Sequence, residues 1–130
     1  MRTVQLVLPP GTKVELMTPL TSTSYLRAYL DRHGPGFHHV TILVADVEAA
    51  IAELTAEGYQ VVDTDLSAPK WRETFIRPSS GFGTLIQLAD STKEWTQPTT
   101  AYTLTDVLAG RVVWVDEEPV LREEVAGAAG

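Results

Sequence analysis

The chain opens with residues that alternate between apolar and polar. This alternation predicts two β-strands, residues 2–8 and 13–17, and the proline- and glycine-containing turn between them makes a β-hairpin. In the second strand Glu15 stands between Val14 and Leu16, whose side chains point to the opposite face of the hairpin. A carboxylate in the middle of a strand most often faces solvent.

Two stretches of helical periodicity follow the hairpin. Residues 21–33 place apolar side chains three and four positions apart and end before Gly34, which predicts a helix that links the hairpin to the rest of the chain. A second helix is predicted over residues 47–57, with Asp46 as its N-cap and Gly58 as its stop.

Between the two predicted helices lies a β-branched run, residues 37–44, which contains two of the three histidines. Strand alternation predicts that His39 and Thr41 share one face and that His38 points to the other. Only one of these two histidines is therefore expected to line any given surface of the sheet.

Three further strands are predicted after the second helix, at residues 59–63, 72–77 and 84–89. Together with the strand at 37–44 and the helix at 47–57, they give the order β-α-β-β-β. The predicted fold class is therefore α+β, with a βαβββ module preceded by a β-hairpin and a linking helix.

The last forty residues differ in composition from the rest. They hold seven acidic and three basic side chains, and their pattern predicts one helical turn at 105–109 and one strand at 111–116. We divide the chain into four segments: a hairpin at 1–20, a linking helix at 21–35, the βαβββ module at 36–90, and an acidic C-terminal extension at 91–130.

Composition limits the functions that the chain can have. Its 130 residues, 44% of them hydrophobic, suffice for one compact domain. A net charge of −7 with scattered basic residues argues against nucleic-acid binding.

No apolar run predicts a membrane span or a secretory leader, so we expect a cytoplasmic protein. Without cysteine, a metal site would use His, Asp, Glu, Gln or water.

Four short motifs stand in an order that is typical of one family. They are Gly11 to Leu20 around Glu15, Gly36-Phe37-His38-His39-Val40, Pro78-Ser79-Ser80-Gly81, and Leu85-Ile86-Gln87-Leu88. With the βαβββ order around them, they resemble the vicinal oxygen chelate superfamily, and within it the members similar to methylmalonyl-CoA epimerase. The resemblance covers residues 2 to 90.

The resemblance implies a metal site. His39 matches a histidine ligand, Glu15 an acidic or amide ligand, and Gln87 a glutamate that in epimerases is both ligand and proton-transfer base. We expect Glu15 to be catalytic as well, with a divalent ion of Mg, Mn, Co, Ni or Zn acting on two vicinal substrate oxygens. Arg72 and Ser80, which flank the last two predicted strands of the module, are expected to bind an anionic substrate.

The chain departs from the family pattern in two respects. Gln87 replaces a glutamate, and an amide cannot accept a proton near neutral pH. In addition, the paired modules of the family imply a strand, a helix and a strand before residue 2, so the first half-module is expected to be missing. A homodimer is then expected to close the cavity, with the strand at 111–116 covering part of an edge.

Three functions are compatible with these features. The first is a metal-dependent lyase or isomerase that acts on a small carboxylate or thioester through bidentate oxygen chelation. The second is a protein that binds a small molecule in the same cavity without catalysis, as bleomycin-resistance members of the superfamily do. The third is a module that acts only through dimerisation.

Overall fold

The structure is a computed structural model that describes residues 1–93, 99–115 and 118–123. It falls into two compact units. The first unit contains residues 1–35 and the described part of 94–130, and its strands form two two-stranded sheets. The second unit contains residues 36–93 and has one four-stranded sheet.

The second unit is the βαβββ module. Its elements are β3 (His39–Leu43), α2 (Val47–Ala56), β4 (Val61–Asp65), β5 (Trp71–Ile76) and β6 (Leu85–Ser91). The strand order is β3-β6-β5-β4, with β3 parallel to β6 and the other neighbours antiparallel. The predicted α+β fold class is therefore confirmed. β4 begins two residues later than predicted because the Tyr59 N–H still donates to the helical carbonyl of Leu54, at 2.9 Å.

Local sequence signals set both ends of α2. The Asp46 carboxylate accepts hydrogen bonds from the N–H groups of Glu48 and Ala49, at 2.9 and 3.3 Å, and so satisfies donors that the first turn leaves unpaired. At the other end Gly58 adopts a φ of 87°, a left-handed conformation that favours glycine. The predicted cap and stop are thus confirmed.

The core of the second unit lies between α2 and one face of the sheet. Val47 from the helix and Ile76 and Leu88 from the strands are buried together. Partly buried apolar side chains surround them: Val44, Ile51, Leu54, Val61 and Ile86. Full burial of an apolar side chain of this size contributes about 1.5–3 kcal/mol, so the burial of Val47, Ile76 and Leu88 helps to hold the helix on the sheet.

An ion pair attaches the start of α2 to the sheet. Arg72 and Asp90 are cross-strand partners on β5 and β6, and the guanidinium donates two hydrogen bonds to the carboxylate, at 2.9 and 2.5 Å. Asp90 also accepts from the N–H of Val47, at 2.8 Å, and Arg72 donates to Glu48, at 2.8 Å. Hydrogen bonds from Arg72 hold the pKa of the Asp90 carboxyl below its usual value, against the opposing effect of burial.

The first unit contains five elements besides its linking helix. They are β1 (Arg2–Leu8), β2 (Thr12–Thr18), α3 (Leu104–Leu108), β7 (Val112–Val115) and β8 (Glu118–Leu121), and the linking helix is α1 (Tyr25–His33). β1 and β2 form the predicted antiparallel hairpin. α1 begins at Tyr25 instead of residue 21 because Ser24 caps it, accepting a hydrogen bond from the N–H of Leu26.

The C-terminal extension contains one strand more than predicted. β8 pairs with β7 in antiparallel register, with Pro119 opposite Trp114. Proline lacks the N–H that donates to a neighbouring strand, so a proline inside an apolar run argues against a strand. For this reason β8 was not predicted from the sequence. Asp116, the predicted end of the first of these strands, lies outside the described residues. No helix in the described part of the chain is long and apolar enough to cross a membrane.

Removal of a core side chain should destabilise the protein. Leu88→Ala is expected to lower the free energy of unfolding by about 2–5 kcal/mol, because it leaves a cavity under α2. Leu43→Ala makes the same truncation in the same unit at a side chain that is 49% exposed, and should cost less than about 1 kcal/mol. Urea titration followed by tryptophan fluorescence measures both values, and equal losses would contradict this location of the core.

Loss of the ion pair should have a pH-dependent effect. The folded-state pKa of Asp90 is lowered, so its pairing stabilises the protein above about pH 4, and the contribution disappears as the pH falls through the folded-state pKa. Asp90→Asn should therefore lower the urea midpoint at pH 7, and the deficit should be smaller at pH 3.

The matched control is Asp31→Asn. Asp31 pairs with Arg27 at 3.6 Å on the surface of α1, with a side chain that is 65% exposed. Solvent screens such a pair, so this variant should change stability little at either pH. A constant deficit of Asp90→Asn at both pH values would rule out the electrostatic origin.

Candidate metal and substrate site

The face of the four-stranded sheet opposite α2 carries polar side chains, and we call it the site face. Ile76 and Leu88 point toward α2. Because side chains alternate along a strand, the residues one and three positions away from them on β5 and β6 point to the other face. The site face includes His39, Thr41, Trp71, Glu73, Phe75, Leu85 and Gln87, and at its β4 edge Asp65, the cross-strand partner of Glu73.

Four side chains on the site face form a continuous row of hydrogen bonds, which we call the polar row. The Thr41 hydroxyl donates to Oε1 of Gln87, at 2.5 Å. The Gln87 amide nitrogen donates to Oε2 of Glu73, at 2.6 Å, and the indole N–H of Trp71 donates to the same carboxylate oxygen, at 2.5 Å. The polar row thus crosses β3, β6 and β5, and Gln87 is held from both sides.

His39 lies on the same face as the polar row. It begins β3 two residues before Thr41, and its cross-strand partner on β6 is Leu85, two residues before Gln87. The structure therefore brings two of the three predicted metal ligands, His39 and Gln87, onto one face of two adjacent strands.

The expected separation of the two histidines onto opposite faces is wrong. Nδ1 of His38 lies 3.1 Å from Nδ1 of His39, and the two rings stand nearly perpendicular, at 88°. β3 begins only at His39, so the alternation of a strand does not extend to His38. One ring donates its N–H and the other accepts, which couples the tautomers of the two imidazoles.

Glu15, the third predicted ligand and the predicted catalytic residue, belongs to the first unit. It is the cross-strand partner of Gln5, whose amide donates to the carboxylate at 3.4 Å. Lys13 lies on the same face of the hairpin, where burial lowers its pKa. In the part of the chain that the structure describes, no group of three or more His, Asp or Glu side chains is arranged to hold a metal ion.

One face of the hairpin carries exposed apolar side chains. Leu6, Val14 and Leu16 are exposed, whereas Lys13 and Glu15 are only partly exposed. Glu15 is therefore less open to solvent than its place in an alternating strand suggested.

The two residues expected to bind an anionic substrate lie at opposite ends of β5. Arg72 stands near its start on the α2 face, where Asp90 and Glu48 neutralise the guanidinium. Ser80 follows the other end, in a turn where its N–H donates to the carbonyl of Arg77, at 2.9 Å. The structure does not bring Arg72 and Ser80 together, and it gives Arg72 a structural partner in Asp90.

Sequence reasoning missed Glu73, Thr41 and Trp71. The alternation of side chains along β5 predicts that Glu73 and Arg72 lie on opposite faces. It does not predict that Glu73 lies beside Gln87. That contact depends on the register of β5 and β6, in which Phe75 stands directly opposite Gln87. Since the turn between the two strands spans several residues, the sequence does not define this register.

Comparison with known proteins identifies the family of the chain. The model of the Glyoxalase/Bleomycin resistance protein/Dioxygenase superfamily matches residues 1–75, more than half of the chain. The mitochondrial methylmalonyl-CoA epimerase of Dictyostelium discoideum is 29% identical over 83 residues, which are 62% of this chain and 50% of the epimerase. The chain therefore spans half the length of that relative.

Solved structures give the same relationship. Methylmalonyl-CoA epimerase from Mycobacterium tuberculosis superposes with a TM-score of 0.62 at 28% identity, over 71% of this chain and 63% of the epimerase. A hypothetical protein from Bacillus halodurans C-125 gives a TM-score of 0.63 at 26% identity, over 71% of this chain and 67% of that protein. With its βαβββ module and the family match over residues 1–75, the chain belongs to the glyoxalase/bleomycin resistance protein/dioxygenase superfamily.

Proposed function

We propose that the chain is a metal-dependent lyase or isomerase of the epimerase type that acts on a small carboxylate or thioester. The observation that carries this proposal is the position of His39 and Gln87 on adjacent strands of the site face. The relatives named as methylmalonyl-CoA epimerases support the choice of reaction class.

The donor atoms of the site face suit a divalent cation. An imidazole nitrogen and an amide oxygen are ligands for Mg, Mn, Co, Ni or Zn. Such an ion, when bound, would act as a Lewis acid on two vicinal oxygens of the substrate. The chain's part is to orient these donors, and the polar row does so by turning Oε1 of Gln87 toward β3, the strand that also carries His39.

The roles predicted for Glu15 and Ser80 stay predictions. Glu15 belongs to the first unit, and its roles as a ligand and as the carboxylate that moves the proton rest on the resemblance alone; the amide of Gln87 cannot accept a proton near neutral pH. Ser80 is proposed to contact the substrate through its turn. Arg72 is left out of the proposed site because its charge is already paired with Asp90 and Glu48.

A second candidate function is binding of a small molecule without catalysis. The apolar side chains Phe75 and Leu85 share the site face with the polar row, and such a mixture suits a ligand with few polar groups. The two candidates differ in their need for a metal ion.

Metal binding and proton exchange test the enzymatic proposal. Protein incubated with Mn, Co, Ni or Zn should retain a stoichiometric ion, and it should catalyse deuterium incorporation at the α-carbon of methylmalonyl-CoA in D₂O, followed by mass spectrometry. His39→Ala should lose both properties. His33→Ala, a histidine change at the end of α1, is the control and should keep both.

The outcomes separate the two candidates. A wild-type protein that retains none of the four ions rejects the metal-dependent enzyme and favours the binding protein. An ion that His39→Ala still binds would reject the assignment of His39. Ion binding without deuterium exchange would exclude methylmalonyl-CoA as the substrate.

We also propose that the protein is a homodimer, because the first unit leaves Leu6, Val14 and Leu16 exposed on one face of the hairpin. Light scattering after size exclusion should give twice the 14.2 kDa of one chain. Leu16→Lys should shift the mass toward the monomer. Leu20→Lys changes a side chain of similar exposure outside β2, 57% against 55%, and should leave the mass unchanged. A monomeric wild type would reject the proposal.

A further inference from the structure

We propose that Glu73 is a positioning residue that selects one orientation of the Gln87 amide and holds the amide oxygen toward β3. The inference deepens the proposed function and rests on it, because Oε1 is the atom that Gln87 would offer to a metal ion. The orientation itself belongs to the metal-free protein and can be measured there.

The register of β5 and β6 brings the two side chains together. Phe75 is the direct cross-strand partner of Gln87, and Glu73 lies two residues away on the same face of β5. This diagonal distance is within reach of two long side chains. The Glu73 carboxylate meets the Gln87 amide nitrogen at 2.6 Å.

The chemistry of the carboxylate determines which end of the amide faces it. An ionised carboxylate has acceptors only, so the amide NH₂ must face Glu73. The reversed amide would bring its oxygen against the carboxylate and lose a charge-assisted hydrogen bond, which is about twice as strong as a neutral one. Glu73 therefore excludes one of the two orientations.

The neighbours of the pair reinforce this choice. Trp71 donates its indole N–H to the same oxygen of Glu73, at 2.5 Å, and so anchors the carboxylate on β5. On the other side the Thr41 hydroxyl donates to Oε1 of Gln87. A hydroxyl can rotate to donate or accept, so Thr41 adapts to the amide, whereas Glu73 dictates its orientation.

The same contact explains why an amide suits position 87. A glutamate there would place two carboxylates at hydrogen-bond distance, and like charges at such a separation repel each other. Of the two facing positions, 73 and 87, the negative charge therefore lies on Glu73. The consequence is a testable exchange: a carboxylate at position 87 should be tolerated only when position 73 carries an amide.

The orientation is measured on the metal-free protein by NMR. The side-chain NH₂ resonances of Gln87, assigned with Gln87→Leu, should be shifted and protected from exchange relative to those of exposed Gln60. Glu73→Leu should move them to the values of Gln60. Glu48→Leu, which removes a carboxylate from the α2 side of the unit, is the control and should leave them in place. Unchanged Gln87 signals in Glu73→Leu would overturn the proposal.

The exchanged pair supplies a second test. Gln87→Glu alone should lower the urea midpoint, and combination with Glu73→Gln should restore it. In the double variant the amide at position 73 can accept from Trp71 and donate to the carboxylate at position 87. An equal effect of Gln87→Glu in both backgrounds would overturn the proposal.

The affinity of the variants for a metal ion is a third test. Substitution of partners that orient a metal ligand typically weakens binding by about 10–100-fold, so Glu73→Gln should have an effect of this size and the double variant should recover most of it. Ion binding that Glu73→Gln leaves unchanged would overturn the positioning role. If the wild type binds no ion while NMR gives the expected response, the proposed function fails and the orientation by Glu73 stands.

Discussion

The packing of α2 against one face of the four-stranded sheet is the contact on which the second unit depends. It commits Ile76 and Leu88 to the helix side, together with Val47. Since side chains alternate along a strand, the same contact commits Glu73 and Gln87 to the opposite face. The contact between α2 and the sheet thus determines both which residues form the core and which residues lie on the site face.

The charged groups of the module divide between the two faces in the same way. Arg72 and Asp90 are cross-strand partners on the helix side, where they connect β5, β6 and the first turn of α2. Glu73, the next residue along β5, lies on the site face and receives hydrogen bonds from Trp71 and Gln87. Of these two adjacent residues, Arg72 therefore stabilises the fold and Glu73 belongs to the candidate site.

The site face is pre-organised by bonds between side chains. Gln87 is held by Thr41 on one side and by Glu73 on the other, and a side chain held at both ends loses little further freedom when it binds a ligand. We propose that this rigidity serves the ligand role suggested above for Gln87.

Sequence by itself determined the βαβββ order, the ends of α2 at Asp46 and Gly58, and the family, because these depend on period, caps and short motifs that are local. It also placed His39 and Gln87 in strands. Only the tertiary structure decided that Glu73 meets Gln87, that Arg72 pairs with Asp90, and that a strand containing Pro119 joins β7. These contacts join residues distant along the chain, and their register follows from how the strands pack, which no local pattern records.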